Sequence, residues 1–159
     1  HVHWTGEALS DDAFRDFERV MGVNIFGVMI GTQRAARHMA EHGGGAIVNT
    51  TSIGGINAGS GVMAYRASKA AVIHITRSMA IELAAHDIRV NCVAPGVIRT
   101  KFHENMSAEQ KKLNLEQRIP LHREGTSEQV ADVILMLVKN DYITGDTVTI
   151  DGGLTSRIA

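Results

Sequence analysis

Ile88-Arg89-Val90-Asn91-Cys92-Val93-Ala94, closed by Pro95-Gly96, reads as a buried β-strand, and the fold follows from what lies on either side of it. Residues from Tyr65 to about Ala85 precede it, rich in alanine and free of Gly and Pro, which predicts a helix. Ahead of that helix, residues 53–64 are rich in Gly, Ser and Asn and predict a loop. Ala46-Ile47-Val48-Asn49-Thr50 predicts another short buried strand, preceded by Gly43-Gly44-Gly45. Further back, Ser10-Asp11-Asp12 offers a capping side chain to a helix that carries Phe14, Phe17, Val20 and Met21 at helical spacing and runs on through Gln33-Arg34-Ala35-Ala36. Downstream, residues 101–119 are charged and predict a mobile helical insertion. Ser127 is expected to cap a helix through about Lys139, and Thr147-Val148-Thr149-Ile150 predicts a last strand before Asp151-Gly152-Gly153. Strands this apolar, alternating with helices, predict an α/β fold: a parallel sheet covered on both faces, with right-handed crossovers. Ligands of such sheets sit beyond the carboxyl ends of the strands. Two of those ends, Thr51-Ser52 and Ala94-Pro95-Gly96, lie next to the residues best suited to chemistry.

Bulk properties narrow the function. The chain has 159 residues, 44% of them hydrophobic, enough for one packed domain. A net charge of −1, with no basic run longer than Lys111-Lys112, gives no draw toward nucleic acid or an acidic membrane surface. The longest apolar stretch, Val20 to Gly31, is broken by Asn24 and falls short of the ~20 residues a spanning helix needs. No signal peptide is visible, and the chain opens on His1. The lone Cys92 excludes an internal disulfide and fits a reducing compartment, so a cytoplasmic location is expected.

Tyr65-Arg66-Ala67-Ser68-Lys69 places a phenol and an ammonium four residues apart, on one face of the helix. A free tyrosine, with a pKa of about 10, is a poor base at neutral pH. A neighbouring positive charge favours the phenolate, and a tyrosine tuned in this way can exchange a proton with a substrate oxygen. Such a pair also occurs as an ordinary solvated helix face. Ser52 stands 13 residues before Tyr65, at a strand end, where the glycine-rich loop can fold its hydroxyl beside the phenol. It also suits the cap of a following turn. Asn24, in mid-helix between Gly22 and Gly27, implies a kink that turns a polar group inward, or else a surface amide. His38 and His42 have i, i+4 metal-ligand spacing but no obvious third ligand, so a solvated helix end is expected and no metal site. Cys92 reads as core packing, His1 and His3 as a chain remnant, and His103 and His122 as surface residues with some prospect of lining a substrate pocket.

Taken in order, Val23-Asn24-Ile25-Phe26-Gly27, Ile47 to Ser52, Tyr65 to Lys69, Asn91-Cys92-Val93-Ala94-Pro95-Gly96, Ile143-Thr144-Gly145 and Asp151-Gly152-Gly153 resemble the successive signatures of the short-chain dehydrogenases/reductases, over about residues 5–153. The resemblance implies a doubly wound, Rossmann-like sheet and an NAD(P)-dependent oxidoreductase that interconverts an alcohol and a ketone or aldehyde. It implies Tyr65 as general acid/base, and Lys69 as the residue that binds the nicotinamide ribose and lowers the tyrosine pKa. Ser52 would orient and polarise the carbonyl, and Asn24 would hold a relay water. Pro95 and Gly96 would turn the chain beneath the nicotinamide, while Ile98 and Thr100 would meet its carboxamide or phosphate. The cofactor is expected to be NAD or NADP, with the choice open, and the substrate a small molecule shaped by residues 53–64 and 101–119.

The chain departs from the family in one large respect. Members open with a strand, a glycine-rich turn and a helix that hold the pyrophosphate, and no such turn occurs in this sequence; Gly43-Gly44-Gly45 precedes a strand instead of following one. Residues 1–159 are therefore expected to be a single partial domain, the catalytic half, with the dinucleotide-binding half absent and an exposed edge on the strand near Ala46. Alone it is expected to be inactive. A cofactor-incompetent or non-catalytic scaffold is the alternative reading, and pairing with a separately encoded piece is a third. The helices at 10–42 and 65–85 carry more apolar and small residues than one sheet face covers, with Ala67, Ala70, Ala71, Ala80, Ala84 and Ala85 suited to close packing. The family resemblance points to a homotetramer.

Overall fold

The computed structural model describes residues 16–59, 61–101 and 106–156. The expected cap at Ser10-Asp11-Asp12, Phe14, and His1, His3 and His103 lie outside the described residues. Three parallel strands form one sheet in the order β1 (Gly45–Thr50), β2 (Ile88–Pro95), β3 (Thr147–Ile150). In register, Ile47 faces Val90 and Asn49 faces Cys92, and on the other side of β2 Cys92 faces Thr147. The outer edge of β1 pairs with no strand among the described residues.

Alternation along β2 decides which helix covers which face. Ile88 and Val90 point to one side, where they pack with Ala36 of α2 (Gly27–Glu41) and Ala80 of α3 (Met63–Leu83) and are ringed by Met39, Ile47, Met79 and Leu83. Ala80 therefore belongs to the core, in the same cluster as Ala36 of α2. Arg89 points to the other side, where its guanidinium donates to Leu137 O at 2.8 Å and Val138 O at 2.9 Å. Those carbonyls lie in the last turn of α5 (Ser127–Lys139), whose Leu137 is fully buried. The last carbonyls of a helix have no partner within it, and a cation there also meets the negative end of its dipole. An arginine inside a largely apolar strand is thus explained as the C-terminal clamp of the opposite helix layer.

Both faces are covered, as a doubly wound sheet requires. The strand order nevertheless advances in one direction while α3 and α5 lie on opposite faces, so the two crossovers have opposite hands and only one can be right-handed. The expectation of uniformly right-handed crossovers fails for one of them. The rule reflects a helix packing directly back onto the sheet. The long connection from Gly96 to Thr126 releases α5 from it.

That connection is helical, as expected: α4 (Ala108–Leu113) continues into a π-helical turn, Asn114–Arg118. It is anchored, because Asn114 and Ile119 are buried and Leu121 N donates to Gly152 O. One capping assignment shifts by a residue. Thr126, not Ser127, caps α5, in a reciprocal capping box with Gln129. The first helix comprises α1 (Phe17–Met21), a π-helical turn at Gly22–Phe26 and α2, so the kink expected around Asn24 is a π-turn. No helix is long and apolar enough to cross a membrane among the described residues.

Replacing Arg89 by methionine removes charge-assisted bonds of about 1.5–3 kcal/mol each before solvent takes over part of the task. We expect a full-length Arg89→Met protein to unfold at clearly lower urea concentration. An unchanged midpoint would show that water satisfies the α5 carbonyls equally well.

Candidate functional site

The site is assembled where the end of β1 meets the first turns of α3. Two reciprocal hydrogen bonds join them. The Thr51 hydroxyl donates to Lys69 O at 2.6 Å, and the Lys69 ammonium donates to Thr50 O at 3.1 Å. The loop between strand and helix lies so close to α3 that a Cβ on Gly55 would stand 2.5 Å from the Lys69 carbonyl carbon, so only glycine fits there. Within α3, the Lys69 Nζ stands 5.8 Å from the centre of the Tyr65 ring, as the four-residue spacing predicts.

Ser52 serves two purposes at once. Its hydroxyl accepts from Gly54 N at 3.1 Å, capping the short helical turn Ile53–Gly55, and it faces the cavities described below. Asn24 projects inward from its π-turn and donates from Nδ2 to the buried Ser68 Oγ at 3.0 Å. Ser68 in turn donates to Tyr65 O at 2.7 Å. The Asn24 kink thereby holds the turn of α3 that carries the phenol. A second buried polar chain, Thr32 to Asn49 to Thr76, ties α2, β1 and α3 together just below the site.

Pro95 and Gly96 end β2. Gly96 N donates to Ile150 O at 2.9 Å, and a Cβ on Gly96 would come within 2.6 Å of Asp151 Cβ. Ile98 pairs with Gly125, and Thr100 follows with its hydroxyl toward Ile98 O.

A cavity of about 510 Å³ brings all eight expected residues together: Asn24, Ser52, Tyr65, Lys69, Pro95, Gly96, Ile98 and Thr100. Thr50, Thr51, Ser127 and Val130 complete its lining. A second cavity of about 710 Å³ opens on the far side, lined by the 53–62 loop, α4 and its π-turn, and Leu154-Thr155. The two share Ser52, Tyr65 and Gly96, so the serine and tyrosine side chains stand on the boundary between them.

Burial holds the Lys69 ammonium below its ordinary value, an effect partly offset by Cys92 beside it. Burial also pushes the Cys92 thiol up, and Cys92 is fully buried in the core as expected. His38 and His42 stack on each other at the exposed end of α2, and His122 is exposed with its ring engaged by Leu115 O; none of the three lines either cavity.

Sequence reasoning missed Ser68, Thr76 and Asn49, which set the site without lining it. A signal was present. Ala64, Ser68, Val72, Thr76 and Ala80 recur every fourth residue along α3 and are all buried, so the two hydroxyl residues fall on the stripe that faces the sheet.

Comparison with known proteins agrees with this architecture. The family model described as Enoyl-(Acyl carrier protein) reductase matches residues 3–155. The chain is 44% identical over 141 residues to the 3-oxoacyl-(acyl-carrier-protein) reductase FabG of Thermotoga maritima, a match covering 87% of this chain and 57% of the relative. It superposes with a TM-score of 0.87 on a short-chain type dehydrogenase/reductase from Mycobacterium marinum at 40% identity, covering 97% of this chain and 62% of the other. It also superposes with a TM-score of 0.87 on a gluconate 5-dehydrogenase from Burkholderia cenocepacia in complex with NADP and tartrate, at 31% identity, covering 95% and 59%. The chain belongs to the short-chain dehydrogenase/reductase family, with that family's Rossmann-like parallel sheet, and it spans a little over half the length of the curated relatives it matches.

The lowered Lys69 pKa has a consequence for stability. Between its folded value and the ordinary 10.5 the unfolded chain binds more protons, so stability rises with pH through that window, and at neutral pH the buried ammonium is a net cost. The melting temperature of Lys69→Met relative to the parent is expected to fall as pH rises from 7 toward 10.5, because only the parent gains stability as Lys69 deprotonates. A relative melting temperature that rose with pH would contradict the assignment.

Proposed function

We propose that the protein carrying this chain is an NAD(P)-dependent oxidoreductase that interconverts an alcohol and a ketone or aldehyde, with Tyr65 as general acid/base. The observation that carries the reading is the position of Ser52 and Tyr65 on the boundary of two cavities, one lined by Lys69 and the Pro95–Thr100 segment, the other by the loops expected to shape a substrate pocket. The first cavity suits a nicotinamide nucleoside. Lys69 has three N–H donors and gives one to Thr50 O, leaving two for ribose hydroxyls. Pro95, Gly96, Ile98 and Thr100 would meet the ring, its carboxamide or the nearby phosphate. A nicotinamide cofactor held there would supply the hydride for the carbonyl carbon, and the Tyr65 hydroxyl would give its proton to the oxygen. Oxidation of an alcohol reverses both transfers. The Ser52 hydroxyl would donate to the same oxygen as charge develops on it. Asn24 spends its Nδ2 on Ser68, and its amide oxygen would accept from a relay water leading to Lys69. NAD and NADP remain equal candidates.

Several wider features belong to the same reading. The substrate is a small molecule, the partners include neither nucleic acid nor membrane, the location is cytoplasmic, and the pyrophosphate is held by residues beyond this chain. The 159 residues alone would then be inactive. Assembly into a homotetramer is supported by apolar and small side chains left exposed on the helices, Val23 and Phe26 on the π-turn and Ile81, Ala67 and Ala70 on α3, with Ala84 and Ala85 just beyond it.

In the full-length protein, Tyr65→Phe is expected to lower turnover about 10²–10⁴-fold while leaving the fold and cofactor affinity nearly unchanged. Retention of more than half the activity would assign the proton to another group. Sedimentation at micromolar concentration should report a tetramer; a monomer would count against the assembly.

A further inference from the structure

The larger cavity has a charge character that the hydride-transfer reading does not require. Among the described residues its lining contains two guanidinium groups, Arg66 and Arg118, and no Asp, Glu or Lys. The only ion pair between described side chains is Arg99 with Glu124, elsewhere on the molecule, so neither guanidinium has an acidic partner among the described residues.

Arg66 follows the phenol-bearing residue directly and is held in place by its loop: Nη1 donates to Asn57 O at 3.0 Å. Its Nε–H is buried and has no acceptor. Buried donors are nearly always paired in native proteins, so an empty one marks a place for an acceptor. Nε and Nη2 form the fork edge of a guanidinium that takes an oxyanion with two parallel bonds. A Cβ on Gly59 would stand 2.6 Å from Nη2, so any other residue there would crowd that edge. Arg118 lines the same cavity from the π-turn that follows α4. Gln110, Asn114 and Arg118 all line the cavity and recur every fourth residue along α4 and its π-turn, so one stripe of donors faces the space.

We propose that this cavity selects carbonyl or alcohol substrates bearing an oxyanion substituent, a carboxylate or a phosphate, with Arg66 and Arg118 as its specificity-determining residues. The inference rests on the oxidoreductase reading for the identity of the reacting group, but anion binding itself is measurable without turnover. Two cations, with no acidic residue in the lining among the described residues, favour an anion over its neutral counterpart by charge-assisted hydrogen bonds, each worth about tenfold or more in affinity.

The test uses the full-length protein with Tyr65→Phe, which blocks proton transfer and leaves both arginines in place, loaded with NADP or NAD. Calorimetry compares acetoacetate and levulinate with their methyl esters, and dihydroxyacetone phosphate with dihydroxyacetone. We expect at least one acid or phosphate to bind about tenfold or more tightly than its neutral counterpart, an advantage that falls as salt rises. Preference for the keto acids assigns a carboxylate, and preference for the phosphate assigns a phosphoryl group. Arg118→Gln and Arg66→Gln should each remove most of the advantage and leave the neutral ligands unchanged. Equal affinity for charged and neutral ligands would overturn the proposal. So would equal losses for both classes in the two variants, since that would make the arginines structural clamps of their loops. Arg118→Gln keeps the test decisive if Arg66→Gln disturbs the 57–62 loop. A protein that binds the anions as expected, yet with Tyr65 intact transfers no hydride to them, would support the anion site and refute the oxidoreductase reading.

Discussion

The organisation of the site depends on one reciprocal contact between backbone and side chains. Thr51 donates its hydroxyl to the carbonyl of Lys69, while Lys69 sends its ammonium back to the carbonyl of Thr50. A strand end and a helix interior, 18 and 19 residues apart in sequence, are fixed against each other at hydrogen-bond distance. Because α3 is a rigid element, fixing Lys69 also fixes Tyr65 one turn earlier, and because β1 is in register with β2, it fixes the site relative to Pro95 and Gly96. The contact has a cost, since the ammonium that makes it is partly desolvated. A functional group carried at some expense to stability is what a site selected for chemistry would show.

Two departures from regular α-helix stand on either side of this contact. The π-turn at Gly22–Phe26 presents Asn24 to Ser68 and the smaller cavity, and the π-turn at Asn114–Arg118 presents Asn114 and Arg118 to the larger one. A π-turn inserts an extra residue into the helical repeat, so it re-aims side chains that an unbroken helix would direct elsewhere. In this chain both insertions fall where a polar group must point into a cavity. The first π-turn leads back into α2, which packs on the core at Ala36, while the second ends the helix, and the extended Ile119 that follows is buried.

Charge is distributed unevenly for a chain whose net charge is only −1. Among the described residues the smaller cavity holds a single cation, Lys69, and the larger holds two guanidiniums contributed by different elements. A protein that is nearly neutral overall can still carry a local field in a cavity, because low-dielectric walls limit its screening. Composition averages that field away.

The sequence by itself determined the order of elements and most of the site. Apolar runs bounded by Gly and Pro located the strands, because a strand buried on both faces must be apolar throughout. The Tyr65–Lys69 spacing placed two groups on one helix face, because a helix repeats every 3.6 residues. Asn24 between glycines signalled a break in its helix. The tertiary structure alone decided the rest. It showed that Arg89 clamps a helix on the far face, that Thr126 takes the capping position expected of Ser127, that Ala80 is core, and that the two crossovers differ in hand. It also revealed Ser68, Asn49 and Thr76 as the buried supports of the site. Apart from the local cap at Thr126, these are relations between segments distant in the chain, such as the 44 residues from Asn24 to Ser68 and the 48 from Arg89 to Leu137. Local pattern records which face of an element is buried. It does not record what that face meets, because the partner is set by packing the whole sheet and its two helix layers at once.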